Sequence, residues 1–110
     1  MDNKTFENLT KQQFDDLIKG KELVLLEFFG TWCMPCKMVA KILDRIKEER
    51  SDFKLIMLDI DKNLSLAKEF SVLTVPSFLV FKNGKEVEKM VGFRQYNQIN
   101  DALNKHKNND

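Results

Sequence analysis

Apolar residues fall along this chain in two arrangements, tight runs and spaced repeats, and the two alternate. Phe14, Leu17 and Ile18 recur at helical spacing behind Thr10 and Gln13, a capping-box pair, so an N-terminal helix is predicted up to Gly20. LVLLEFF (Leu23–Phe29) is almost continuously apolar, the pattern of a central strand covered on both faces, and Glu27 is its one charged residue. Val39, Ile42, Leu43 and Ile46 then return every three or four residues, while Lys37, Lys41, Arg45, Lys47 and Glu48 occupy the other faces. This predicts an amphipathic helix running to about Arg50. FKLIMLDI (residues 53–60) reads as a second buried strand. Strand, helix and strand in this order make a parallel βαβ unit.

The second half changes style. Residues 63–70 are expected to form a short helix with Leu64, Leu66, Ala67 and Phe70 as its apolar positions. Pro76 interrupts the chain before SFLVF (residues 77–81), and Asn83-Gly84 supplies a two-residue hairpin turn into EVEKMV (residues 86–91). Residues 96 to about 105, with Ile99, Ala102 and Leu103 on one face, predict a closing helix. The polar HKNND that follows is expected to fray. The sum is an α/β fold, a central mixed sheet with helices on both faces, in one domain spanning residues 1–110 without linker or repeat.

Composition narrows the function. A chain of 110 residues can bury roughly 60–70% of the surface its unfolded form exposes, so neither metal nor disulfide is required for folding. Lys and Arg number 18 against 17 Asp and Glu, interspersed, and the net charge of +1 lacks the basic stripe that nucleic-acid binding demands. No apolar run is long enough to span a membrane, and the N-terminus lacks the charged start and apolar run of a signal peptide. A cytoplasmic monomer is the expectation.

The candidate chemistry lies in TWCMPCK (residues 31–37), which holds the only two cysteines, the only tryptophan and one of two prolines. Thiol–disulfide exchange needs a thiolate that attacks sulfur and a second thiol that resolves the mixed disulfide. A free cysteine titrates near ~8.5, and a position at a helix N-terminus favours its anion. Cys33 is therefore the expected nucleophile, and Cys36, in the first helical turn, the resolving thiol, seated deeper. Pro35 presets the helical φ and loses no intrahelical hydrogen bond there. A zinc knuckle lacks ligands, since His106 is the only histidine; a structural disulfide across so short a loop adds little stability; inert thiols are the third alternative. Glu27 leads straight into the motif, and burial in a strand would raise its pKa and fit it to take the Cys36 proton, unless it turns to an exposed edge.

FFGTWCMPCK, the LDID strand end, TVPSFLVFKNG and Val91-Gly92, in this order from about Phe6 to Leu103, resemble the thioredoxin family. The resemblance implies the thioredoxin fold and a protein-disulfide reductase with no bound cofactor beyond the redox-active Cys33–Cys36 disulfide. It implies protein disulfides as substrates, and electrons from NADPH through a separate flavin enzyme, a thioredoxin reductase. It further implies a cis Val75–Pro76 bond and a substrate groove lined by Trp32, Met34, Pro35, Val75, Pro76 and Gly92, with Phe93 at its margin. The chain departs from the family in four places. Glu27 replaces the usual aspartate, Met57 a lysine beside it, Met34 a glycine, and Lys41 a helix-kinking proline, so a straighter helix is expected. A disulfide oxidase or isomerase of the same fold, and a protein-interaction module with incidental thiols, are the competing functions.

Overall fold

The alternation of side chains along Leu23–Phe29 decides the layering. In the computed structural model, which describes residues 6–107, this strand (β1) lies inside a four-stranded sheet. Val24, Leu26 and Phe28 point into one core and Leu23 and Leu25 into the other, because successive strand residues face opposite sides. Helices α1 (Lys11–Ile18) and α3 (Leu64–Glu69) cover the first core; α2 (Met34–Glu49) and α4 (Tyr96–Lys107) cover the second. β2 (Lys54–Asp59) pairs parallel with β1, while β3 (Ser77–Lys82) pairs antiparallel with β1 and with β4 (Lys85–Val91), giving the order β2-β1-β3-β4. This is the mixed sheet that the hydrophobic pattern predicts.

Local sequence explains the ends of the elements. Thr10 Oγ1 accepts the Gln13 N–H and Gln13 Oε1 accepts the Thr10 N–H, both at 3.0 Å, so α1 starts on the predicted capping box. Asn83 and Gly84 both take positive φ in the turn between β3 and β4. Phe14, Phe70 and Phe81 meet with ring centroids 5.2 to 5.5 Å apart and fix α1 and the end of α3 to β3, each pair adding about 0.5–1.5 kcal/mol beyond its buried area. On the other side, Arg50 donates to Asp52, Asn100 and Asn104 and ties the end of α2 to α4. α2 runs unbroken for 16 residues through Lys41.

Three expectations are corrected. Residues 53–60 do not form a fully buried strand: β2, at an edge of the described sheet, is half-buried, and Ile60 already belongs to a 3-10 turn (Ile60–Lys62). Leu64 is exposed, because α3 is too short to bury more than one stripe, and Leu66 and Ala67 supply it. His106 and Lys107 do not fray. His106 is buried with Nε2 2.8 Å from Glu88 Oε1, and the Lys82 ammonium caps the helix by donating to the Lys107 carbonyl at 2.7 Å. The rest of the tail, residues 108–110, lies outside the described residues.

The outer strand β4 has a character of its own. Lys85, Glu86, Glu88 and Lys89 put four charges along it, and its register against β3 shifts between Val80 and Phe81.

Candidate active site

Parallel pairing puts the C-terminal ends of β1 and β2 side by side, with Phe29 opposite Asp59. The turn that follows β1 carries the cysteines; the 3-10 turn that follows β2 meets it. Cys33 occupies the N-cap of α2 in an extended conformation, and its Sγ accepts the Cys36 N–H at 3.2 Å. Pro35 lies in the first turn, and no acidic residue opposes the positive end of the helix there. Cys33 and Cys36 are joined as a disulfide across Cα atoms 5.3 Å apart. Both are buried in this state, 4% and 5% exposed, so the disulfide does not set Cys36 deeper than Cys33 as expected of the thiols.

Trp32 is no core residue. It is 66% exposed, and its Nε1 donates to Asp61 Oδ2 at 2.8 Å, which anchors the indole to the 3-10 turn. A Cβ on Gly30 would come within 2.8 Å of the indole Cε2 and 2.9 Å of Cζ2, so only glycine lets the ring lie across the backbone there. Met34 is exposed beside it, and so is Met38, one turn along α2.

The other predicted groove residues come from the second half of the chain. The Val75–Pro76 bond is cis, Val75 is half-buried and Pro76 buried. The Gly92 N–H donates to the Pro76 carbonyl at 2.8 Å, which joins the two loops, and Ser77 Oγ donates to the Thr74 carbonyl at 2.7 Å. Gly92 has φ +93°, and a Cβ there would meet only Arg94 Nη1 at an ordinary 3.9 Å, so conformation, not lack of room, calls for glycine. Phe93 is partly exposed next to it.

Glu27 does not reach an exposed edge. It is 0% exposed, on the face of β1 that α2 and α4 cover, and its sheet neighbours are Met57 and Phe78. Neither carboxyl oxygen has a hydrogen-bond partner among the described residues. Desolvation pushes its pKa from the usual carboxylate range to about 8. With Met57 where a cation could stand, that neighbour does nothing to offset the burial.

Sequence reasoning missed Asp61, Gly30 and Asn63. A signal for the first two was present: parallel pairing of two strands sets whatever follows them next to each other, and LDID ends one residue short of Lys62.

A disulfide spanning one helical turn opens only by accepting two electrons from a thiol or similar donor, and closes by passing two electrons on. Exchange of this kind defines the protein's class, a thiol–disulfide oxidoreductase acting on protein disulfides. The thioredoxin family model matches residues 5–105. The thioredoxin of Listeria monocytogenes is 39% identical over 85 residues, covering 76% of this chain and 82% of that protein. That of Staphylococcus haemolyticus is 37% identical over 101 residues, covering 89% and 94%. The solved structure of a mutant thioredoxin from Halobacterium salinarum superposes with a TM-score of 0.85 at 25% identity, over 98% of this chain and 95% of that one. The chain belongs to the thioredoxin family. Among the described residues, no helix is long and apolar enough to cross a membrane.

Proposed function

We propose that this chain works in the reducing direction, as a single-domain, monomeric dithiol reductase of the cytoplasm. The observation that carries the reading is the Cys33 sulfur at the N-cap of α2, where the Cys36 N–H and the helix dipole favour a negative sulfur. In the reduced protein the Cys33 thiolate attacks one sulfur of a target disulfide. A mixed disulfide forms and the other target sulfur leaves as a thiolate. The ionised fraction of Glu27 takes the Cys36 proton, and the Cys36 thiolate attacks Cys33 Sγ. This closes the Cys33–Cys36 disulfide and frees the second target sulfur, so the target gains two electrons and its thiolates take up two protons. The buried, unpartnered Glu27 suits the transfer because a carboxyl titrating at about 8 exchanges its proton near neutrality.

The target approaches as extended chain along Trp32, Met34, Pro35, Val75, Pro76 and Gly92. A mostly apolar surface of this kind accepts many partners. The oxidised protein returns to the dithiol by taking electrons from NADPH through a separate flavin enzyme, a thioredoxin reductase.

Equilibrating the protein in buffers of set redox potential tests the direction. A midpoint within the cytosolic glutathione range, roughly −220 to −320 mV, is expected. A midpoint near the oxidising end, around −120 mV, would assign it to disulfide donation instead. A second measurement addresses the order of the cysteines: Cys36→Ser incubated with a disulfide-bonded protein should accumulate a mixed disulfide through Cys33. Failure of any such adduct to form would remove the nucleophile assignment.

A further inference from the structure

Asn63 is fully buried and makes no side-chain cap for the helix it precedes. Its side chain is engaged elsewhere. Nδ2 donates to the Phe6 carbonyl at 2.9 Å and to the Asp59 carbonyl at 3.1 Å, and Oδ1 accepts the Leu9 N–H at 3.0 Å. The Asn8 N–H reaches the Lys62 carbonyl at 2.7 Å, so residues 6–9 are bound to the 3-10 turn at several points. Phe6 and Leu9 in turn pack against the core on the α1 and α3 side. The turn is held from within as well, since Asp59 Oδ1 accepts the Asp61 N–H at 2.9 Å.

Among the described residues, the hydrogen bond this braced turn sends toward the disulfide is that of the Asp61 carboxylate on the Trp32 indole. A buried amide with all three of its bonds spent on the backbone of two separate segments fixes the position of that backbone, and loosening it would leave carbonyls and an N–H unpaired in the interior.

We propose that Asn63 is a positioning residue for Trp32: by locking residues 59–63 to residues 6–9, it holds Asp61 where the indole must lie. The proposal rests on the reading that Trp32 flanks the substrate groove. The Asn63 side-chain hydrogen bonds go to backbone groups of Phe6, Leu9 and Asp59, and the residue acts through Asp61. The N-terminal segment thereby becomes part of the apparatus that shapes the groove.

Because the chain has one tryptophan, its amide spectrum contains one indole N–H resonance, which reads the Asp61 bond directly. Asp61→Ala should shift that resonance and speed its exchange with water about tenfold or more, the size expected for losing a hydrogen bond to a charged group. Asn63→Ala is expected to move it the same way by at least about half as much, and to lower kcat/KM for insulin reduction through KM. Ile99→Val, in the core on the far side of the sheet, should leave the resonance in place. If Asn63→Ala does not fold, Asn63→Asp keeps the acceptor for Leu9 and loses both donated bonds, and should show the same shift. An unmoved resonance in the asparagine variants beside a shifted one in Asp61→Ala overturns the proposal, and so does an equal shift in Ile99→Val. If Asp61→Ala moves the resonance and leaves insulin reduction unchanged, the groove reading of Trp32 fails and takes the proposal with it.

Discussion

Cys33→Ser is expected to slow reduction of a protein disulfide by more than about a thousandfold, roughly 4 kcal/mol of barrier, while the fold stays intact. Both halves follow from the N-cap. Serine is a favoured residue there, and its hydroxyl can accept the Cys36 N–H that Cys33 Sγ now accepts at 3.2 Å, so α2 keeps its start. The hydroxyl cannot form the sulfur–sulfur bond on which electron transfer depends. Cys36, on the first turn and buried, has no comparable N-terminal position to raise its share of thiolate. The check is insulin reduction driven by a dithiol, with helix content followed by circular dichroism. A variant retaining a tenth of the activity would mean that Cys36 makes the first attack, and the assigned order would be reversed.

The second large effect concerns stability. Glu27 ionises at about 8 in the folded chain and near 4.5 when unfolded, so between those values the folded state holds a proton that the unfolded state has released. Stability is therefore greatest below about pH 4.5 as far as this group is concerned, falls as pH rises toward 8, and levels off above it. The full span corresponds to roughly 5 kcal/mol, and about 3 of it is already lost at pH 7. Against the roughly 5–15 kcal/mol typical of a domain, that is a large share. Glu27→Leu, which places an aliphatic chain between Met57 and Phe78, should exceed the parent in stability by a margin that is smallest at about pH 4.5 and wider by several kcal/mol at about pH 8.5. Urea unfolding across that range measures the difference. A gap that does not change with pH would show that Glu27 is ionised when folded, and its part in proton transfer would fall as well.

How much of this was legible depends on the range over which each feature is encoded. Elements that bury one stripe or one run, such as Leu23–Phe29 or the face of α2 carrying Val39, Leu43 and Ile46, announce themselves by period. The burial of Glu27 was one of two readings open from the same pattern, the other being a turn to an exposed edge, and the covered central strand decides it. Polar pairs between distant segments leave no such trace. Trp32 and Asp61 are 29 residues apart, and Asn63 and Phe6 are 57 apart. The end of α4 failed for the same reason: HKNND looks solvent-loving in isolation, and only the meeting of His106 with Glu88 and of Lys107 with Lys82 keeps its first two residues helical. The exposure of Leu64 was lost because a short helix has no second turn against which to judge its face.

The charges and the register shift along β4 bear on the company this protein keeps. An outer strand is a template on which another extended chain can add. Lys85 and Glu86 are exposed and would have to be stripped of water by any chain zippering alongside, Glu88 and Lys89 are already engaged by His106 and by the Phe70 carbonyl, and the irregular register against β3 breaks the straight ladder such a chain needs. The β4 edge of the described sheet is thereby ill suited to the addition of a further strand from another chain.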